Sequence, residues 1–254
     1  METKGSAVSP LYLLERFDVG IVHLDDERRV VAMNDLARRT LPVEKMQPFD
    51  SIVLGFHPER SQPKVEFMLD QAVVCPVTNP PPMTMIINIP ERVLLIKVTR
   101  LSDARSQPTG YILVFYDITE LVSGEPPAKG EADQHRRLSK IPTVSGQRLM
   151  LVDADEVLHL HSEGHYTRVV TADGTRFCNL SLGDLEARLD PEQFMRVHRS
   201  HIVKLSAIKG LSRDAGRLMV QLAGEHALVP VSRTSAGDLL GRLGMSAVVT
   251  ATKR

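Results

Sequence analysis

The chain has 254 residues, room for one large or two ordinary domains, and its 43% hydrophobic content supplies real cores, which excludes a disordered chain. Lys plus Arg and Asp plus Glu both number 31, yet the first half is slightly acidic and the part after residue 140 slightly basic, so a polyanion is drawn to the latter. Two distant cysteines exclude a disulfide framework and fit a reducing compartment. The N-terminus lacks the order of a signal peptide, and runs such as Tyr111 to Tyr116 fall far short of the roughly 20 apolar residues of a spanning helix, so a cytoplasmic chain without membrane contact is expected.

Along the chain, LYLLERF is a candidate amphipathic helix that packs on a partner subunit or the sheet. Gly20 to Leu24 (GIVHL) is a short β-rich run. DDER makes a polar turn, Val30 to Met33 returns as a strand, and Asn34 caps a helix beginning DLARRTL. A helix is expected from about Pro63 to Ala72, then strands in MTMIINI, RVLLIKVTRL and GYILVFYDI, joined by turns containing Pro or Gly. This strand–strand–helix–helix order followed by three antiparallel strands is a small α+β layout. Ser123 to Ser139 (SGEPPAKGEADQHRRLS) has almost nothing apolar to bury and is expected to be a solvated linker.

Beyond the linker, β-runs are expected at Arg148 to Leu151, Val157 to His161, Arg168 to Thr171, Thr175 to Asn179, His201 to Leu205, Arg217 to Leu222 and Ala227 to Val231. Short helices are expected in LGDLEARL and SAGDLLGRL. Arg196, His198, Arg199, His201 and Lys204 crowd into nine residues. Arginine forks bond guanine in a major groove, lysine neutralises phosphate, and the hydroxyls of Tyr166, Thr167, Ser200 and Ser232 are candidate donors to phosphate oxygens. Most surface arginines contact nothing, and for Arg168 and Arg196 that is the expectation. His159 and His161 alternate along a strand, and with no cysteine or carboxylate at ligand spacing zinc is not expected.

The opening GIVHLDDERRVVAMNDLA and closing GYILVFYDITEL resemble PAS domains over about residues 10–122. HSEGHYTRVVTADG, CNLSLGDLEARL with FMRVHRSHIVKL, and VPVSR resemble, in order and spacing, LytTR DNA-binding domains over about residues 140–244. The resemblances imply an α+β PAS sensor domain, a linker over 123–139, and a mostly-β LytTR-type domain. They nominate His165, Arg199 and Arg233 for base contact, through loops between strands. A histidine also serves as a neutral loop anchor, and His165 is open to that role.

In the first half, VVCPVTNPPPMTM sets Cys75 before a proline and two methionines after a stiff run of prolines. Thiolate, thioether and the imidazole of His57 are all ligands of haem iron. The charged thiolate suits Fe(III), the neutral thioether suits Fe(II), and Met is easily displaced by a diatomic gas. A lone Cys is also a small hydrophobe, and a strand Met also core filler. HPERSQPK, CPVTNPPPMTMIINIP, ERVLLIKV and VFYDITEL, followed by a LytTR-like half, resemble the RcoM-type bacterial regulators of CO metabolism. That resemblance implies a haem b-binding PAS domain that senses carbon monoxide and a homodimer that binds promoter DNA of CO-oxidation genes. His57 would be the retained axial ligand, Cys75 the ligand of oxidised iron, and Met85 that of reduced iron until CO replaces it. Met83 lies two residues away on the same strand face and is the competing thioether. Phe67, Met68, Ile87, Ile89 and Leu95 are the expected apolar pocket, though each is equally a core residue.

Two other functions compete. One keeps the DNA reader but makes the first half a haem-free dimerisation or docking module. The other makes Cys75 a nucleophile and His57 its base. It is disfavoured because Cys75 precedes Pro76 rather than opening a helix, no third orienting residue is evident, and no Gly-rich phosphate loop is present.

Overall fold

Asn34 organises the start of the fold. Its Oδ1 caps the helix α1 (Asp35–Thr40) by accepting from Ala37 N at 2.9 Å. The same oxygen accepts from Ile21 N at 3.0 Å, and Nδ2 donates to Val19 O at 2.7 Å. One amide thus caps a helix and ties it to the strand β1 (Val19–Leu24). The structure, a computed structural model, describes residues 19–41, 49–57, 59, 62–74, 83–86, 92–105, 107–123, 137–145, 148–223 and 228–245, of which 71–74 and 83–86 are described by their backbone. The candidate helix LYLLERF lies outside them.

The chain divides into two units, residues 1–119 and 120–254. In the first, β1, β2 (Val30–Met33), β3 (Met83–Ile86), β4 (Val93–Ser102) and β5 (Pro108–Asp117) form one antiparallel sheet in the order β2-β1-β5-β4-β3. Alternate residues Leu94, Ile96 and Val98 of β4 join Val22, Leu24 and Phe115 in a core closed by Val65, Met68 and Leu69 of the helix α2 (Gln62–Val74). Gly20 pairs with Phe115, and a Cβ at Gly20 would lie 2.0 Å from the Phe115 ring. Only glycine lets that ring lie flat over β1.

The second unit holds β6 (Lys140–Ser145), β7 (Arg148–Asp153), β8 (Val157–Glu163), β9 (Tyr166–Thr171), β10 (Gly174–Cys178), β11 (Phe194–His198) and β12 (His201–Lys204) in a seven-stranded sheet ordered β11-β12-β8-β9-β10-β6-β7. A smaller sheet runs β13 (Ile208–Asp214), β14 (Arg217–Leu222), β15 (Leu228–Pro230). The short helix α3 (Leu182–Glu186) carries a capping box between Ser181 and Asp184. The last helix, α4 (Arg233–Arg242), packs Leu239 into a core with Met195, Val197, Val203, Val220, Leu222 and Val231.

The expected linker lies mostly outside the described residues, and its ends meet in a bridge between Ser123 and Leu138. Three strands were not expected from sequence: β6, β11 and β13. Conversely, LGDLEARL yields only the five-residue α3, and α4 begins at Arg233, two residues before the expected start.

Candidate functional site

Two-residue turns shape one end of the large sheet. Gly164 and His165 link β8 to β9, with Gly164 at φ 59°, the left-handed conformation a tight hairpin demands. Arg199 and Ser200 link β11 to β12. Since β12 runs antiparallel to β8, with His201 opposite His161, both turns fall at the same end, where Ser162 N donates to Ser200 O at 3.0 Å. Ser232 N donates to Val197 O at 2.7 Å, which fastens the start of α4 beside the end of β11. His165, Arg199 and Arg233, nominated from three distant stretches of sequence, are thereby held on one backbone frame, and all three are exposed.

The residues around them act as braces. Arg196 pairs with Glu186 at 2.7 Å and donates to Arg199 O at 2.8 Å, holding the turn that presents Arg199. Arg168 is paired to Glu163 at 3.3 Å. Tyr166 is half-buried with its ring edge-on to Phe177 at 6.2 Å. His198 Nδ1 accepts from Ser200 N at 3.3 Å and lies 2.8 Å from Ser200 Oγ. Burial, and after it the charges of Arg199 and Arg217, lower the His198 pKa and favour its neutral form.

One expected phosphate donor needs correction. Thr167 is 1% exposed, and its hydroxyl donates to Leu180 O at 2.7 Å inside the protein. Its position on β9 alternates inward, so it cannot reach DNA. The Ser200 hydroxyl lies beside His198. The Ser232 oxygen caps α4, accepting from Ser235 N at 3.1 Å, and sits 2.8 Å from Ser235 Oγ.

Sequence alternation pairs His159 with His161, but the register adds two more rings. His201 Nδ1 lies 2.9 Å from His159 Nε2, and its ring stacks on His161 with centroids 4.5 Å apart and on His159 at 5.1 Å. His198 completes the group at 5.6 Å from His201. Burial first, then the neighbouring imidazoles, push the His201 pKa down to about 3. Among the described residues no group of His, Cys, Asp or Glu is arranged to hold a metal ion.

In the first unit, His57 ends the 3-10 turn Val53–Phe56, its N–H donating to Leu54 O at 3.0 Å. Its carbonyl accepts from Gln62 Nε2 at 3.1 Å, which fixes the turn to the start of α2. Burial lowers the His57 pKa, leaving a neutral imidazole with a lone pair to give. Leu54 and Phe56 pack on the same core as Met68, which is 4% exposed, while Phe67 is half-buried. In register, Met83 pairs with Ile96 and Met85 with Leu94, both core residues of β4. Leu95 does not fit the expected pocket: it alternates to the other face of the sheet, opposite Thr84 and Tyr116. Cys75, Ile87 and Ile89 lie outside the described residues.

Comparison with known proteins follows the same two-part division. The PAS fold matches residues 14–123, and the LytTr DNA-binding domain matches residues 147–244. The heme-containing CO-sensing transcriptional regulator RcoM 1 of Paraburkholderia xenovorans is 42% identical over 246 residues, covering 91% of each chain. The chain belongs to the RcoM family of transcriptional regulators. RcoM 2 of the same organism is 40% identical over 91% of each chain. The CO-responsive transcriptional regulator RcoM of Rhodospirillum rubrum is 32% identical, over 92% of this chain and 98% of its own. An RcoM chain is thus an α+β PAS unit followed by a β-rich LytTR unit, and it is a regulator rather than an enzyme, which sets aside Cys75 as a nucleophile. No helix among the described residues is long and apolar enough to cross a membrane.

Proposed function

We propose that this chain is a single-component, haem-dependent CO sensor that binds promoter DNA of CO-oxidation genes through its LytTR unit. The observation that carries this reading is the reach of the similarity: relatives named as haem-containing CO-sensing regulators match across both units rather than one. The donor chemistry of the PAS unit fits an iron porphyrin. His57 is held neutral by burial beside an apolar core, and Met83 and Met85 pair in backbone register with the core residues Ile96 and Leu94 of β4. With only two cysteines, far apart, the sequence has no C-x-x-C-H attachment motif, which agrees with haem b held by axial ligands and packing.

His57 would be the constant ligand. Cys75 as thiolate would offset the charge of oxidised iron, and Met85 would take its place on reduced iron. A bound iron porphyrin supplies the open coordination chemistry that CO needs. Met85, neutral and weakly held, would be the ligand given up to CO, and its release would free the β3 segment that pairs with β4. For that to raise DNA affinity, CO must bind one of two protein states better than the other. A homodimer would present two LytTR units to paired half-sites.

Absorbance spectroscopy of the purified protein tests the reading. A Soret band that moves on reduction and again under CO is expected. Cys75→Ser should alter the oxidised spectrum and leave the reduced CO form nearly intact, whereas Met85→Leu should tighten CO binding. Unchanged CO affinity in Met85→Leu would shift the role to Met83. A colourless protein that takes up no added hemin would overturn the haem assignment in favour of a haem-free dimerisation or docking module.

A further inference from the structure

The second unit carries a basic cleft that the base-contact residues do not account for. The β13–β14 hairpin turns through Ala215 and Gly216, both with positive φ (45° and 79°), and carries Arg213 on one arm and Arg217 on the other. Both arginines and Arg233 line a cleft of about 360 Å³ together with Leu218, Val231 and Leu240. Arg213, Arg217 and Arg233 are all exposed. Arg217 also acts on His198 together with Arg199, so the basic rim runs on into the Arg199 turn.

Pairing separates these arginines from their neighbours. Arg168, Arg196 and Arg242 each lie against a carboxylate. Among the described residues Arg199, Arg213, Arg217 and Arg233 form no ion pair, and Asp214, opposite Arg217 in register, makes none either. Unpaired like charges gathered on one edge repel one another in the free protein and favour a polyanion. The apolar part of the lining has no use for a free water-soluble anion alone, but it suits the sugar faces of a nucleic-acid strand whose phosphates meet the rim.

We infer that Arg213 and Arg217 are phosphate-gripping residues, and that the cleft they share with Arg233 seats the sugar–phosphate backbone of the bound duplex beside the base-reading turns. This rests on the DNA-binding reading of the LytTR unit and adds two residues and a docking groove to it. Phosphate contacts set the register of the protein on DNA without reading sequence, so the two arginines should contribute equally on any duplex.

The test is the salt dependence of binding of the full-length holoprotein under CO to a random-sequence 30-base-pair duplex. Each of Arg213→Gln and Arg217→Gln should lower the slope of log K against log salt by about 0.9, the value for one lost phosphate contact. Arg217→Lys should restore the slope. Arg39→Gln, which removes the same charge from the PAS unit, should leave it unchanged. Circular dichroism of each variant confirms folding. Wild-type protein that binds while both Gln variants keep the wild-type slope would overturn the inference and leave the DNA-binding reading standing. Wild-type protein that binds no duplex at any salt would overturn both.

Discussion

Acidification should destabilise the LytTR unit through His201. Its ring is surrounded by His159 and His161 from β8 and by His198 from β11, with Arg168 opposite His161 on β9. The 2.9 Å approach of His201 Nδ1 to His159 Nε2 requires one nitrogen to accept, so both rings cannot be doubly protonated. The unfolded histidine binds its proton near 6.5, whereas the folded one resists until about 3. The unfolded chain therefore binds more protons throughout that window. Stability is full above pH 6.5 and declines as pH falls toward 3. A fully desolvated group would lose about 1.4 kcal/mol per pH unit; His201 is half-exposed, and screening by water reduces this to about 0.6 kcal/mol. From pH 7.5 to 5.0 only the part below 6.5 counts, giving a loss of about 1 kcal/mol. Urea unfolding at both pH values should show wild-type protein losing that much more than His201→Phe, which keeps a stacked ring and cannot titrate. Proton NMR should place the His201 titration far below 6.5. An ordinary midpoint near 6.5, or equal losses in both proteins, would refute the argument.

Thr167→Val should cost about 1–3 kcal/mol in urea unfolding because it strands the Leu180 carbonyl, and DNA affinity measured on the folded variant should be unchanged. A variant of normal stability that bound DNA weakly would return Thr167 to the interface. Arg233→Ala should cost about 1–3 kcal/mol in binding to a selected operator while affecting random duplex less. Equal weakening on both would make Arg233 a phosphate contact only.

The parts of the fold legible in the sequence were those set by local rules. GIVHL is β-rich and became β1, and Asn34 stands just before DLARRTL and caps the helix expected there. Strands β6 and β13 escaped for identifiable reasons. Pro142 argues against a strand, yet β6 meets β10 only at Val144, so the missing N–H costs no ladder bond there. β13 is mostly half-exposed or exposed and gives no alternation to find. β11 was hidden because its polar positions, Arg196 and His198, drew the reading toward charge, although Met195 and Val197 alternate with them into the core.

The functional edge shows the same limit more sharply. Residue type and motif pointed to His165, Arg199 and Arg233, and three backbone elements do bring them to one frame. Type alone could not separate a hydroxyl that faces DNA from one that faces its own protein. Thr167 is decided by β9 alternation, whereas Ser200 lies beside the imidazole two residues before it and Ser232 begins a helix. The four-histidine group depends on register across β8, β12 and β11, a relation between strands up to 42 residues apart that no local pattern encodes. Arg213 and Arg217 were passed over for a different reason. They lie outside the motif, and their weight comes from lacking the carboxylates that Arg168 and Arg196 have found. In a chain with equal numbers of acids and bases, where the charges pair says more about partners than how many there are.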